Sequence, residues 1–512
     1  MKTSRIIIPA IICAMTALAS CEDKTPKVPD KPKPAATISK ADQFSIDMLS
    51  SYYLWSEEIS SSLGRLDPDT CCSPAEVVKE IRYKSDVVNK TGYVDRWTVL
   101  TDDLEGFTNS VQGLGVSYGY ELSGGVFVDA SGKSTGKYFL LVDYVCKNGP
   151  AEKAGLKRGD IFITINGKDI TAENINDVFN STSITLGLGI YDGSSIKNSG
   201  NTVSLTAVNM YEDPILLSKV FDLGTKKVGY LVYNSFDLRS LETLPAVFRD
   251  FKAQGIKELI MDFRYNGGGY AFTECALASM IAPPVVVASR RIFQTEIFNS
   301  WLTKAWEEQN LDLNTYFDTK FSITYNGTTY SANVSDANPG VSKVYFITTG
   351  ATASASEGVI VGLGPYIDMT LVGERTYGKY CAGYMLSPDD LYDSSKYDFS
   401  LIKDWGMYVM VSSFGDKDGH NRSNPADPTH VGNTPGIAVD IESYDDPFDG
   451  FQLGDENETM LKAALTAAGK VYSRTRAQEP VAPKFGTRRL EHGMPAGTLI
   501  GSRELPKLRD IQ

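Results

Sequence analysis

The stretch "TTGATASASEGV", Thr348–Val359, holds two serines, Ser354 and Ser356, among small residues, followed by Glu357. A serine hydroxyl becomes an effective nucleophile when an adjacent base takes its proton. No histidine lies close to this stretch, because the three histidines of the chain come later, at positions 420, 430 and 492. Such a run of small residues is also compatible with a plain tight turn into a helix. If one serine is a nucleophile, a base other than a neighbouring histidine must activate it.

Two other stretches offer groups that could complete such a site. "MDFRYNGGGY" places Asp262, Arg264 and Asn266 after an apolar strand and before three glycines, Gly267–Gly269. Glycine permits a sharp turn and leaves backbone N–H groups uncovered near a helix N-terminus, which suits an oxyanion or a phosphate. The glycine patterns of dinucleotide sites and P-loops are both missing, which favours the oxyanion. "LVGERTYGKY" presents Lys379 from a turn that follows another strand.

Taken together, the three stretches resemble the carboxyl-terminal processing proteases, serine peptidase family S41. In that family a strand ending in D-x-R-x-N-x-G-G supplies oxyanion donors, a T/S-A-S-A-S-E segment carries the nucleophile, and a G-K turn carries a lysine base. The resemblance implies that Ser354 is the nucleophile and Lys379 the base. It implies that the Ala355 N–H and an N–H of Gly267 or Gly268 bind the oxyanion. It also implies a serine endopeptidase that cleaves proteins or peptides near their C-termini through an acyl-enzyme, with no metal and no cofactor.

A lysine base would explain the missing histidine, provided that its amine is neutral. A free lysine has a pKa near ~10.4, so at neutral pH burial must favour the neutral amine by ~3 pKa units, or ~4 kcal/mol. The small apolar residues around Ser354 suit this requirement because they bring little water or charge. A Ser-His-Asp order with the histidine last remains formally possible. It would leave the glycine stretch and the "GK" of Gly378 and Lys379 without a role.

A second resemblance lies upstream of the glycine stretch. "DYVCKNGPAEKAGLKRGDIFITINGKDI", residues 143–170, matches the short helix, the turn before a strand and the "ING" hairpin of a PDZ domain, and the resemblance covers about residues 110–210. PDZ domains hold the C-terminal carboxylate of a peptide on backbone N–H groups of a glycine-rich loop, and the peptide adds to the sheet as a strand. The residues that match this loop are Gly113, Leu114, Gly115 and Val116. Alone, these four residues could also form an ordinary hairpin turn.

The sequence departs from the family pattern close to the predicted base. Many family members have a glutamine four residues after the lysine, which orients it, whereas this chain has Gly383. The orienting group is therefore unknown from sequence, and a catalytically silent, PDZ-containing peptide-binding lipoprotein is the alternative function. We expect Glu357 to brace the helix rather than to act as an acid or base. We expect Asp262 and Arg264 to hold the end of their strand rather than to contact substrate.

The first twenty residues predict an export signal. Lys2 and Arg5 form a basic start, and Ile6–Ala19 is an apolar run too short to span a bilayer comfortably. The sequence "LASC" that ends at Cys21 resembles a bacterial lipobox, which implies that Cys21 is lipidated and becomes the new N-terminus. The alternative is an ordinary secretory signal with Cys21 incidental.

A tether is predicted to follow the lipidation candidate. Residues 21–40 are rich in proline and lysine, which cannot build a core and favour an extended chain. The acidic pair Glu22 and Asp23 resembles the surface-export signals of Bacteroidetes lipoproteins. We therefore expect a lipid anchor in a membrane as one partner. The expected location is the cell envelope at the outer membrane, either periplasmic or surface-exposed.

The coarse pattern of elements predicts a multidomain α/β protein. The early part of the chain has apolar residues at helical spacing, and strands alternate with helices in the later part. The resemblance gives the later part a ClpP/crotonase-like catalytic fold, with the PDZ domain ahead of it. The predicted boundaries are 1–20 for the signal peptide, 21–40 for the tether, 41–109 for a helical N-terminal domain, 110–210 for the PDZ domain, 211–470 for the peptidase domain and 471–512 for a C-terminal tail.

Charge and cysteine content restrict partners and cross-links. The net charge of −13 argues against a nucleic-acid partner, because phosphate binding requires a basic surface. An exported setting permits disulfides. The five cysteines beyond the tether are odd in number and lack metal-like spacing, so we expect at least one free thiol. They are Cys71, Cys72, Cys146, Cys275 and Cys381.

Overall fold

The computed structural model describes residues 35–68, 73–86, 92–129, 131–325, 327–472, 487–490, 499–501 and 505. The predicted signal peptide, Cys21 and the tether up to residue 34 lie outside these ranges, as do Cys71 and Cys72. Three described cysteines, Cys146, Cys275 and Cys381, are buried free thiols. No helix in these ranges combines the length and the apolar character needed to cross a bilayer.

The N-terminal region is helical, as predicted. Its elements are α1 (Ala35–Ser51), α2 (Ser60–Leu63), α3 (Pro74–Ile81), β1 (Val99–Thr101) and α4 (Leu104–Val111). Helix α1 begins inside the predicted tether, because residues 35–40 contain no proline and belong to a helix that buries Thr37, Ala41 and Phe44. The prediction of a tether up to residue 40 is therefore wrong for its last six residues.

The N-terminal region shares its core with residues 211–470, the stretch predicted as a peptidase domain, which we call the peptidase part after that prediction. Trp97 and Leu100 lie in the same hydrophobic cluster as Tyr408 and Met410. Strand β1 also pairs with a strand of the peptidase part, with Val99 opposite Tyr408. The region predicted as a separate helical domain therefore shares a core and a sheet with this later part of the chain.

The PDZ part is a β-sheet with two short helices. Its elements are β2 (Leu114–Ser117), β3 (Tyr120–Val128), β4 (Ser134–Val145), α5 (Pro150–Lys153), β5 (Ile161–Ile165), β6 (Lys168–Asp169), α6 (Asp177–Asn180), β7 (Ser183–Tyr191), β8 (Ile196–Thr206) and β9 (Val208–Tyr211). Strands β3, β4, β5, β7 and β8 lie side by side in that order, and β6 pairs with β5. Strands β2 and β9 form a separate antiparallel pair. A core that includes Leu122, Phe162 and Leu186 lies under this sheet.

The peptidase part alternates strands and helices, as predicted. Its elements are β10 (Ile215–Asp222), β11 (Lys227–Tyr233), α7 (Ser240–Gln254), β12 (Glu258–Asp262), β13 (Gly269–Tyr270), α8 (Ala271–Ile281), α9 (Pro284–Ala288), β14 (Ile292–Phe298), α10 (Ser300–Glu308), β15 (Asn314–Tyr316), β16 (Lys320–Tyr325), β17 (Thr328–Asn333), β18 (Lys343–Thr348), α11 (Ala355–Leu363), β19 (Asp368–Gly373), β20 (Cys381–Leu386), α12 (Pro388–Leu391), β21 (Gly406–Gly415), β22 (Ile441–Glu442) and α13 (Thr459–Ala467).

The central sheet of the peptidase part positions the three chemical stretches. Its strand order is β10-β11-β12-β18-β19-β22, and β12, β18 and β19 are parallel neighbours. The glycine stretch follows β12, the serine stretch follows β18, and the lysine turn follows β19. Because the carboxyl ends of parallel neighbours meet at one edge of a sheet, all three stretches converge there.

A second sheet of the peptidase part includes a strand from the far C-terminal segment. Its order is β13-β24-β20-β21-β14-β15, where β24 is Leu499–Ile500. Another short strand, β23 (Thr487–Arg489), pairs with β3 of the PDZ part. Parts of the predicted C-terminal tail are thus incorporated into two sheets, although the weak periodicity of its sequence gave no sign of this.

Candidate active site

Ser354 occupies a strained turn at the start of α11. Its φ is 64° and its ψ −116°, a left-handed conformation that non-glycine residues rarely adopt. Such strain is often found at functional residues, where the surrounding structure enforces it. The side chain is fully buried and faces the Glu357 N–H in a capping box, but its Oγ makes no hydrogen bond of normal geometry to a described residue. The Ser354 hydroxyl is therefore held in place but left uncommitted.

Ser356 differs from Ser354 in this respect. Its Oγ donates a hydrogen bond of 3.1 Å to the backbone oxygen of Asn266. The same oxygen accepts from the Ala353 N–H at 3.0 Å. Ser356 thus ties the serine turn to the glycine turn, and of the two serines only Ser354 has a free hydroxyl. This supports the register that the sequence predicted.

The Glu357 carboxylate joins the serine turn to the lysine turn. Its Oε2 accepts from the Ser354 N–H at 3.0 Å and from the Lys379 N–H at 2.8 Å. Its Oε1 accepts from the Gly378 N–H at 3.0 Å and from the hydroxyls of Thr376 and Ser423. The backbone nitrogens of Ser354 and Lys379 therefore lie within two hydrogen-bond lengths of each other. Glu357 is a structural brace, as expected, since all five donors are occupied in holding the turns.

Lys379 has the environment that a neutral base requires. The side chain is fully buried, and burial lowers the pKa of its amine to about 8. Its Nζ lies 5.1 Å from the ring centroids of both Trp97 and Tyr408. An amine with a pKa of about 8 is neutral in roughly one-tenth of the molecules at pH 7 and in about half of them at pH 8. The pKa shift comes mainly from loss of solvation, as the sequence argument anticipated.

The Tyr408 hydroxyl accepts a hydrogen bond from Lys379, whose orienting group the sequence left unassigned. It lies 2.8 Å from Lys379 Nζ and belongs to a fully buried side chain. Gly383 has no side chain that could orient the lysine. A larger residue would not fit there, because a β-carbon at position 383 would lie 2.4 Å from Met410 Cε and 2.5 Å from the Tyr408 ring. Tyr408 therefore occupies the space that a longer side chain at position 383 would need.

The sequence gave no signal for Tyr408. It lies on β21, which pairs antiparallel with β20, the strand that follows Lys379, and the register sets Tyr408 opposite Met385. Only this pairing brings the tyrosine to the lysine. The sequence between them, residues 387–405, shows no motif that marks the pair.

The glycine turn lies beside Ser354, but it leaves fewer free donors than predicted. The Gly268 N–H donates to the Asn266 side chain at 2.9 Å, so it is not available to an oxyanion in this structure. Neither the Gly267 N–H nor the Ala355 N–H has a partner in the part of the chain that the structure describes. Of the three predicted oxyanion donors, only the Gly267 and Ala355 N–H groups are therefore free to bind an oxyanion in this structure.

Asp262 and Arg264 hold the strand end, as expected. Arg264 is fully buried and pairs with Asp262 at 2.7 Å, with Glu458 at 2.7 Å and with Asp445 at 2.8 Å. Burial alone would raise the pKa of Asp445, but Arg158 and Arg264 lower it to about 2. Arg158 comes from the PDZ part, so this buried network connects the two parts of the chain.

The predicted carboxylate-binding residues of the PDZ part do not form an open loop. Gly113 lies at a turn with φ 63°, whereas Leu114, Gly115 and Val116 lie in β2 and pair with β9. Gly115 and the Val116 side chain are exposed. The segment is therefore accessible to a ligand, but part of its backbone is paired with β9.

Neither described histidine contacts Ser354. His420 lies 3.6 Å from Asp427, and His430 Nδ1 lies 2.8 Å from the backbone oxygen of Arg422. His492 lies outside the described residues. In the described ranges, no group of three or more His, Cys, Asp or Glu side chains is arranged to hold a metal ion.

Two family models match the chain. The model of peptidase family S41 matches residues 227–421, and a PDZ domain model matches residues 141–181. The first range contains the glycine turn, Ser354 and Lys379. The second range lies inside the predicted PDZ domain. These two stretches are therefore similar to an S41 peptidase domain and to a PDZ domain.

The curated proteins similar to this chain include C-terminal processing proteases. The chain is 23% identical over 350 residues to the chloroplastic C-terminal processing peptidase of Tetradesmus obliquus, a match that covers 66% of this chain and 62% of that protein. It is 27% identical over 184 residues to the carboxy-terminal processing protease CtpB of Bacillus subtilis, covering 35% of this chain and 34% of that protein. The chain thus spans less than two thirds of the length of these relatives.

A solved structure shows the same architecture. A Bacteroides fragilis protein assigned as an S41 protease superposes with a TM-score of 0.61 and 22% identity, over 84% of this chain and 98% of that one. The fold is that of the S41 proteases: a mixed α/β protein with a PDZ domain and a helical N-terminal region. The predicted fold class is confirmed.

Proposed function

We propose that this protein is a serine endopeptidase that cleaves proteins or peptides near their C-termini with a Ser354/Lys379 dyad. The observation that carries the proposal is the Glu357 brace, in which one carboxylate oxygen binds the backbone nitrogens of Ser354 and of Lys379, a buried lysine whose pKa is about 8. The similarity to C-terminal processing proteases supports the substrate class. A silent binding protein would have no need of a base with a lowered pKa.

The chemistry follows from the positions of the groups. Neutral Lys379 takes the proton of Ser354 as Oγ attacks the scissile carbonyl carbon. The Gly267 and Ala355 N–H groups stabilise the oxyanion, each by ~3 kcal/mol. The protonated amine then gives its proton to the leaving nitrogen, the C–N bond breaks, and the acyl group remains on Oγ. Water attacks this ester with Lys379 again as base, which frees the shortened product and restores the serine.

Mapping the products of unfolded polypeptides by mass spectrometry tests this function. Each polypeptide is supplied in two forms, one with a C-terminal carboxylate and one with an amide. We expect cuts near the C-terminus and faster cleavage of the acid, because the PDZ segment Gly113–Val116 would bind the carboxylate through N–H groups. If no polypeptide of a broad set is cut, the proposed function is wrong. Equal rates for acid and amide would refute the carboxylate role of the PDZ segment alone.

Replacing Tyr408 by phenylalanine tests the positioning of the base. The ring remains, but Lys379 loses the hydrogen bond of 2.8 Å. We expect kcat to fall by roughly 10–100-fold while KM changes little, since a misplaced base weakens the chemical step and not substrate binding. Steady-state kinetics across pH 6–10 measure both constants and the pH profile.

The matched control for Tyr408→Phe is Tyr233→Phe. Tyr233 is also fully buried, and its hydroxyl bonds Ser240 at 2.7 Å, away from Lys379. This change should lower the melting temperature without the selective loss of kcat. If the two variants have the same kinetics, Tyr408 does not position the base.

We also propose that Cys21 carries a lipid that anchors the protein in the membrane of the cell envelope. The support is the sequence "LASC" after a short apolar run. Cys21→Ser protein is expected in the soluble fraction after cell lysis, because a signal peptide of this kind leaves no spanning helix. The check is fractionation of cells that express each form, followed by immunoblotting. Retention of the serine variant in washed membranes would refute the anchor.

A further inference from the structure

Two described stretches near the C-terminus, Thr487–Leu490 and Leu499–Gly501, lie against the PDZ part and against strands that adjoin Gly267 and Lys379; we call these two stretches together the segment. Its described residues pair with the edge strand of the PDZ sheet and, further along, with two strands beside the catalytic groups. An extended peptide that adds to a sheet edge is the way a PDZ domain binds its ligand. An extended strand beside the nucleophile is likewise the form in which a peptide substrate reaches a serine peptidase.

On the PDZ side, the segment has the position and direction of a peptide ligand. Strand β23 is antiparallel to β3, with Thr487 opposite Gly125 and Arg489 opposite Ser123. The chain therefore runs toward the start of β3, which adjoins the predicted carboxylate-binding segment.

Leu490 continues this pairing and anchors it. Its N–H bonds the Leu122 oxygen at 2.9 Å, and its side chain packs on the PDZ core. A β-carbon on Gly124 would come 3.2 Å from Leu490 Cδ2, so the glycine leaves room for this leucine. Leu490 thus sits where the apolar anchor of a bound peptide would lie.

On the catalytic side, the segment fills a gap between two strands. Strand β24 pairs with β13, with Leu499 opposite Gly269, and also with β20, where Ile500 lies opposite Gly383. Strands β13 and β20 are connected in the sheet order only through β24. Because neighbouring strands lie ~4.8 Å apart, the gap without β24 would be ~10 Å wide, which is the width for one extended strand.

The walls of this gap are the elements that carry the catalytic groups. Strand β13 begins two residues after Gly267, and β20 begins two residues after Lys379. Ile500 is buried among the side chains of this region, and the Gly501 N–H bonds the Gly383 oxygen at 2.9 Å. A β-carbon on Gly501 would lie 2.2 Å from the Tyr384 ring, so the segment fits closely. Ser354 and Lys379 are both fully buried in this arrangement.

We propose that Thr487–Leu490 and Leu499–Gly501 act as an internal ligand, the first stretch at the PDZ peptide edge and the second in the substrate gap between β13 and β20, and that substrates must displace them. The proposal rests on the proposed peptidase function and adds its regulation. An intramolecular segment competes at a high effective concentration, on the order of mM. An external peptide therefore binds weakly until the segment leaves.

The test measures binding to protein that carries Ser354→Ala, so that no turnover occurs. The probe is a fluorescent peptide with the sequence of Thr487–Leu505, followed by anisotropy. Leu490→Asp with Gly501→Val should release the segment, since one change puts a charge in an apolar contact and the other clashes with Tyr384. We expect the affinity for the probe to rise at least ~10-fold.

Two controls keep the outcome interpretable. Val471→Asp alters a fully exposed apolar residue upstream of the segment and should leave probe affinity unchanged. Hydrogen exchange should show faster exchange at the Leu490 and Gly501 amides in the double variant, with protection restored when excess probe is added. Leu490→Ala with Gly501→Ala provides a milder pair if the first variant does not fold.

The outcomes separate this proposal from the proposed function. If a folded double variant binds the probe no more tightly than its parent, or both pairs unfold, the segment is a fixed part of the sheets and the proposal is wrong. If the probe binds tightly but protein with an intact Ser354 cuts no polypeptide, the internal ligand stands and the peptidase function fails. Cleavage that the double variant leaves unchanged would refute the internal ligand alone.

Discussion

Replacing Ser354 with alanine is expected to abolish peptide cleavage while leaving the fold intact. Removal of a catalytic serine in serine peptidases lowers kcat by ~10⁴-fold or more. The Ser354 Oγ makes no hydrogen bond of normal geometry in the described structure, so its loss breaks none there. The melting temperature should therefore change little, because alanine and serine both carry a β-carbon and have a similar steric cost at a φ of 64°. Steady-state kinetics and thermal melting measure the two effects.

Ser356→Ala is the matched control for this prediction. It removes a hydroxyl from the same turn, but one that bonds the Asn266 oxygen at 3.1 Å. We expect a loss of stability of ~1 kcal/mol and only a modest fall in kcat. If Ser354→Ala retained full activity, or if Ser356→Ala alone abolished it, the assignment of the nucleophile would be wrong.

Replacing Lys379 with methionine is expected to abolish cleavage and to stabilise the protein at neutral pH. Burial lowers the lysine pKa from 10.5 to about 8, and 2.5 pKa units correspond to ~3 kcal/mol. Methionine avoids this unfavourable charge, although loss of the hydrogen bond to Tyr408 removes ~1 kcal/mol of the resulting gain in stability. The expected gain in the free energy of unfolding at pH 7 is therefore ~2 kcal/mol. If Lys379 stabilised the fold, its replacement would instead lower the free energy of unfolding at pH 7.

The pH dependence gives a second measure of the same group. Below pH ~8 the amine is protonated in the folded and the unfolded protein, and the folded state carries the unfavourable buried charge. Between pH ~8 and ~10.5 the unfolded state binds more protons, so the stability contribution rises with pH. Denaturant unfolding should show this rise in the parent protein and not in Lys379→Met. Cleavage by the parent should increase as the pH passes through about 8, where the amine becomes neutral.

Lys304→Met is the control for the lysine substitution. The Lys304 side chain is 77% exposed, so its replacement should alter neither the activity nor the slope of stability with pH. If Lys379→Met destabilised the protein at pH 7, burial would not have lowered the lysine pKa in the folded state. If it kept its activity, another group would be the base.

The parts of the site that lie on successive strands could be predicted from the sequence. The glycine turn, Ser354 and Lys379 each follow a short apolar strand, and parallel strands bring their carboxyl ends together without further information. The need for a buried, neutral lysine followed from the lack of a nearby histidine. These arguments depend on local sequence and on rules of chain topology.

The remaining features depend on pairings that leave no local mark. Tyr408 reaches Lys379 through the antiparallel register of β20 and β21. The Gly268 N–H is unavailable to an oxyanion because it donates to the Asn266 side chain. This depends on the rotamer of Asn266, which the sequence does not reveal. The short strands β23 and β24 have too few residues to show an alternating pattern. In each case the tertiary contact, not the propensity of the segment, determines the outcome.

The contact of Gly383 with Tyr408 and Met410 has an evolutionary consequence. A glutamine at position 383 and a tyrosine at position 408 would compete for one volume, since even a β-carbon on Gly383 comes within 2.5 Å of the Tyr408 ring. A lineage that exchanges one orienting group for the other must therefore pass through either a crowded intermediate or one in which nothing orients the lysine. Positions 383, 408 and 410 would then change as a linked set, and a substitution transplanted alone from a relative would be deleterious in this background.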